Sequence, residues 1–142
     1  MLIALVLAPL VLACLAFATP SSRVRPWFVP IGGVSHFLLT LGALFQSRPT
    51  AFGGWLVLDP LGRLMLGFLS LLYLVCSFYV PGYLMERRNR PNRTFTGALL
   101  LFLAMMSLML LSHHLGLMWV AIETTTLSCA PLLYFDRNPR SL

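Results

Sequence analysis

The stretch Leu115 to Phe135, LGLMWVAIETTTLSCAPLLYF, decides how the rest of the chain is read. At about 1.5 Å of rise per residue, its 21 residues make a helix long enough to cross a hydrocarbon core of about 30 Å. Its ninth residue, Glu123, is a carboxylate set among apolar neighbours. An acid at that depth costs about 2.5–3.5 kcal/mol on insertion scales, so it calls for a partner, a water path or a chemical task.

Working outward, the other 121 residues have the same character: the whole chain of 142 residues is 58% hydrophobic and 10% charged, with a mean hydropathy of +0.85. That lies outside the composition of soluble globular domains and predicts an all-α, polytopic membrane protein. Period-2 alternation is absent, which argues against a transmembrane barrel. Together with Leu115–Phe135, apolar runs at Leu2–Ala18, Phe28–Phe45, Leu61–Leu84 and Phe95–Ser112 give five expected transmembrane helices, at 2–18, 28–45, 61–84, 95–112 and 115–135. They form one transmembrane domain, 1–142, without an internal repeat. The separators, TPSSRVRPW, QSRPTAFGGWLVLDP, MERRNRPNRT and HHLG, carry the Pro, Gly, Ser, Asn and Arg of turns and interfaces. Ala16-Phe17-Ala18 fits the small-x-small rule of a signal-peptide cleavage site. No basic residue precedes Leu2, however, so the first run is expected to stay as a helix.

The net charge of +6 comes from ten arginines against Asp59, Glu86, Glu123 and Asp136, with no lysine. The arginines flank the apolar runs, where the lipid interface rather than a nucleic acid is the expected partner. Arg23, Arg25, Arg87, Arg88, Arg90, Arg93, Arg137 and Arg140 fall on one side, Arg48 and Arg63 on the other. The positive-inside rule therefore puts the N-terminus outside and the C-terminus in the cytoplasm.

Conventional catalysis has little to work with. The chain has no GxSxG, no phosphate-binding glycine loop, no HExxH and no haem, flavin or iron–sulfur ligand set, so no cofactor and no metal is expected. Cys14, Cys76 and Cys129 stand alone in separate runs and read as small buried hydrophobes. What remains is proton-active. On a helix, Gly116, Trp119, Val120, Thr126, Leu127 and Ala130 share the face of Glu123, and hydroxyl neighbours there offer a lining for water. Pro131 has no N–H for the Leu127 carbonyl and weakens the helix one turn beyond Glu123. His113 and His114, about 15 Å away in helical rise, occupy the turn before this helix as candidate surface proton relays. Asp59-Pro60-Leu61-Gly62-Arg63 reads as a capped and charge-paired helix start, with a proton path through Asp59 and Arg63 as the functional alternative. His36, after Pro30, Gly32 and Gly33, is a second polar group inside an apolar run. Tyr79 and Tyr83 suit an interfacial aromatic belt.

Leu115-Gly116-Leu117-Met118-Trp119-Val120-Ala121-Ile122-Glu123, followed by Thr124 to Leu127, resembles the fifth-helix signature of the antiporter-like proton-conducting subunits of complex I, Mrp antiporters and membrane-bound hydrogenases. Among these it is most similar to hydrogenase-4 component F in the formate hydrogenlyase group. Asp59 to Arg63, Tyr79 and Gly82-Tyr83-Leu84 add to the likeness. The resemblance implies a proton-transfer subunit of an oxidoreductase complex in the cytoplasmic membrane, with Glu123 as the proton-carrying acid and Thr126, His113, His114, Asp59 and Arg63 as lesser candidates. It implies partner membrane subunits, one of which supplies the lysine that this chain lacks. Family members have about 14 helices, so the chain corresponds to their N-terminal part. A scaffold or assembly role, and an inactive truncated fragment, are the competing expectations.

Overall fold

In the computed structural model, which describes residues 1–46, 50–86 and 92–134, the chain forms five helices and a small hairpin. They are α1 (Leu2–Ala18), α2 (Phe28–Leu44), β1 (Thr50–Ala51), β2 (Leu56–Val57), α3 (Pro60–Glu86), α4 (Asn92–Leu111) and α5 (Leu115–Tyr134), with one-turn 3-10 segments at Arg25–Trp27 and Phe52–Gly54. Four of the helices, α2 to α5, are long and apolar enough to cross a membrane, whereas α1 has 17 residues. The chain is thus a helical, multi-pass membrane protein by the length and composition of these elements. Most of the arginines behind the orientation, and Phe135 and Asp136, lie outside the described residues.

Helix boundaries depart from the expected ones where polar residues join a helix. The first turn of α4, Asn92-Arg93-Thr94, is helical, although an apolar-run criterion starts only at Phe95. At the start of α3, Asp59 Oδ1 accepts the Gly62 N–H at 2.8 Å and satisfies an orphan donor of the first turn, with Pro60 as the first helical residue. The charge pairing expected there is absent. Arg63 Nη2 instead donates to the Gln46 carbonyl at 2.8 Å, tying α3 to the end of α2. Asp59→Ala is expected to cost about 1 kcal/mol, the usual loss of a cap, read as a lowered midpoint of unfolding in detergent.

The helices α1, α2, α3 and α4 form one bundle, in which α1 packs chiefly on α4 and α2 on α3, while α5 leans on the flank of α4. The burial pattern is that of a membrane bundle rather than a soluble one. Leu38, Phe68, Leu72, Val75 and Phe78 are exposed, while His36, Thr40, Ser70, Ser77, Thr96 and Ser107 are buried between helices. Lipid is as apolar as leucine, so close approach of small residues and interhelical hydrogen bonds replace the hydrophobic drive to associate. Gly33 faces Ser77 in this way across α2 and α3, and Gly97 lies beneath the ring of Phe17 across α4 and α1.

The hairpin, Thr50 opposite Val57 and Ala51 opposite Leu56, was not evident from the sequence, because two-residue strands leave no alternation to read. Its turn runs through three residues of positive φ, Phe52, Gly53 and Gly54. It caps the end of the bundle: Leu56 and Leu58 join Leu2, Leu5, Val6, Ala43, Leu66 and Leu111 in the largest apolar cluster. Cys14 and Cys76 are exposed and Cys129 half-buried, correcting the expectation that all three are buried. A thiol as apolar as its surroundings has no need of the interior when the outside is lipid.

Candidate functional site

Helix α5 touches α4 through a narrow stripe, Ala121, Thr125 and Ser128, spaced four and three residues apart. Only 11% of its apolar window is buried, against 33–44% for α2, α3 and α4. Glu123 is on the open side. It is exposed, together with Gly116, Trp119, Val120, Thr126, Leu127 and Ala130, the residues expected to share its face. Among the described residues Glu123 has no hydrogen bond or ion pair.

The hydroxyl lining expected around it is turned away. Thr124 Oγ1 donates to the Val120 carbonyl at 2.8 Å, Thr125 Oγ1 to Ile122 at 2.6 Å, Thr126 Oγ1 to Ile122 at 3.1 Å and Ser128 Oγ to Thr125 at 2.8 Å. Each hydroxyl thus bonds back onto its own helix, the default for Ser and Thr where no other acceptor competes. A water on this face would be held by Glu123 and whatever packs against it.

His113 and His114 sit in the turn joining α4 to α5, where the hairpin holds them. The His113 N–H donates to the Trp55 carbonyl at 2.8 Å, and the His114 ring stacks on Trp55 with centroids 4.4 Å apart and planes at 19°. Ser112 Oγ donates to the His114 carbonyl at 3.0 Å, and Leu56 bridges to Ser112. Both histidines are exposed. Asp59 and Arg63 are committed to the cap and the Gln46 carbonyl described above. No hydrogen bond among the described residues joins Glu123 to these other candidates.

Two polar constellations carry more contacts than the sequence reading gave them. The first is centred on His36, midway along α2 and fully buried. Its Nε2 lies 2.8 Å from Ser107 Oγ on α4 and its Nδ1 3.0 Å from Ser70 Oγ on α3. Ser107 Oγ donates to the Leu103 carbonyl at 2.8 Å and can only accept from the ring, so the direction of that bond is set. Nε2–H therefore donates to Ser107, while Nδ1 pairs with the Ser70 hydroxyl. The imidazole thus joins three helices through one side chain. Thr40 Oγ1 and Tyr73 O–H, one turn away on the same faces of α2 and α3, are buried without a hydrogen-bond partner among the described residues.

The second lies at the opposite end of α4 from the hairpin, where Arg25 is 6% exposed. Its Nη1 donates to Asn92 Oδ1 at 2.6 Å, its Nε to the Thr19 carbonyl at 3.2 Å, and its Nη2 to that same carbonyl. Asn92 Nδ2 donates in turn to the Ser22 carbonyl at 2.8 Å. The α1–α2 connection is thereby tied to the first residue of α4. The signal for the histidine node was present as Gly33, His36 and Thr40 on one face of α2. For Arg25 there was none beyond its charge.

No family model, curated protein or solved structure matches the chain. The class defined by fold and site is a multi-pass helical membrane protein whose last described helix carries, on its open face, an acid with no partner among the described residues.

Proposed function

We propose that the chain is a membrane subunit of a proton-translocating respiratory complex of the hydrogenase-4 and complex I type, with Glu123 as its intramembrane proton carrier. In this reading α1 is a fifth span, the N-terminus is outside, and the arginine-rich ends of α3 and α4 face the cytoplasm. The observation that supports it most is the position of Glu123, exposed on the bare face of α5 with no ion pair among the described residues. An acid so placed in hydrocarbon calls for a partner whose approach and withdrawal can act as a switch. A lysine or arginine on a helix packed against Trp119, Glu123 and Thr126 would make that switch, loading the proton as it recedes and releasing it as it returns.

A scaffold role draws support from a different observation, the breadth of the bare α5 face, which suits an assembly contact whether or not protons move there. One experiment separates the two. In inverted membrane vesicles containing the complete assembly, Glu123→Gln is expected to slow substrate-driven acidification by about ten-fold or more, while Glu123→Asp retains part of it. Flux per assembled complex unchanged in Glu123→Gln would leave only the scaffold reading.

A further inference from the structure

At the Arg25 end of the bundle a cleft of about 570 Å³ opens between the α1–α2 connection and the adjoining ends of α3 and α4. Its walls carry Ser22, Arg23, Trp27, Leu84, Met85 and Asn92. The charge around it is one-sided. Arg25 is a buried guanidinium whose described acceptors are all neutral: one amide oxygen and one carbonyl. Arg93 lies near enough for its charge to act on Arg25, and both have the same sign. Arg23, on the cleft wall, has no carboxylate partner among the described residues. The only described acid at this end is Glu86, exposed at the terminus of α3. A buried cation without a described counter-charge is expensive, and the like charge of Arg93 raises the cost, so an anion bound here would be stabilising.

The cleft also has the two-sided chemistry of a bilayer interface. Trp27, half exposed, is the residue type that settles at headgroup level, while Leu84 and Met85 give an apolar wall below the polar one of Ser22, Arg23 and Asn92. We propose that this cleft binds the phosphate of an anionic phospholipid. In it Arg23 pairs with the phosphodiester, Arg25 and Arg93 supply the positive field behind it, and Leu84 and Met85 take the start of an acyl chain. Bound there, the lipid would bridge the α1–α2 connection to α3 and α4 and neutralise the end of the bundle.

The full chain, purified in a neutral detergent, is titrated separately with dioleoyl phosphatidylglycerol, dioleoyl phosphatidylcholine and inorganic phosphate, and bound molecules are counted by native mass spectrometry. One equivalent of phosphatidylglycerol is expected to bind at least ten-fold more tightly than phosphatidylcholine. Arg23→Gln should weaken it several-fold, whereas Arg63→Gln, which removes the same charge at the opposite end of α3, should not. Equal affinity for the two lipids, or equal losses in the two variants, would overturn the proposal. Inorganic phosphate binding as tightly as phosphatidylglycerol and displacing it would reassign the cleft to a free anion. The outcome is independent of Glu123 and of the direction in which the chain crosses the membrane.

Discussion

Gly33→Leu is expected to separate α2 from α3 and to be the most damaging single substitution in the bundle. A Cβ at Gly33 would stand 2.6 Å from Ser77 Oγ and 3.1 Å from Ser77 Cβ, closer than side-chain atoms approach one another. Ser77 cannot turn aside without loss, because its hydroxyl donates to the Leu74 carbonyl at 2.7 Å and the residue is buried. Even alanine must therefore move a helix or break that bond, and leucine adds three further carbons to the same contact. Overpacking of this kind costs about 1–3 kcal/mol and sometimes more. The helix that moves is the one carrying His36, three residues further along the same face, so its 3.0 Å contact with Ser70 lengthens as well. Interhelical hydrogen bonds in membranes average about 0.6 kcal/mol and reach about 1.7, which makes the steric term the larger of the two. The pairing is checked by exchange of volume: Gly33→Ala should lower the unfolding midpoint in detergent, and adding Ser77→Gly should restore most of it. No recovery in the double variant would mean that the two residues do not set the distance between α2 and α3.

How far the chain could be read beforehand depended on whether a feature needs one helix or several. The helices themselves, and the face of α5 bearing Glu123, follow from apolar runs and a 3.6-residue period, both properties of a single segment. The Asp59 cap is equally local and stands as expected, whereas its pairing with Arg63 is replaced by a bond from Arg63 to the Gln46 carbonyl, just past the end of α2, which no single segment reveals. Ser70 and Ser107 looked like two unremarked hydroxyls in apolar runs. Their meaning exists only once α2 lies between α3 and α4 and both bond the same imidazole. The hydroxyls beside Glu123 show the opposite failure. Four consecutive polar residues, Glu123 to Thr126, suggested a wet lining, but the open side of the helix leaves Thr124 and Thr126 no acceptor except their own backbone.

Arg25 shows why counting charges for topology is blind to structure, and its replacement by methionine is the second substitution expected to have a large effect. Methionine keeps most of the volume and flexibility of the stem, so the change isolates the guanidinium. Three donations disappear, leaving the Asn92 Oδ1 and Thr19 carbonyl acceptors in a region where Asn92 is itself buried. Each orphaned buried group costs about 1–3 kcal/mol. Against that stands the relief of a buried charge with no described carboxylate near it, which offsets part of the loss. The connection between α1 and α4 decides the balance, since Asn92 is held on one side by Arg25 and on the other by the Ser22 carbonyl, and loses its fixed orientation when the first is gone. A net destabilisation is therefore expected for Arg25→Met, with Arg25→Lys recovering little, because one ammonium does not reproduce the fork that serves Asn92 and Thr19 together. Combining Arg25→Met with Asn92→Leu should cost less than the sum of the two, since the second change removes the acceptor that the first abandons. Additive losses would show that the two side chains act separately, and that the α1–α2 connection is held to α4 by packing alone.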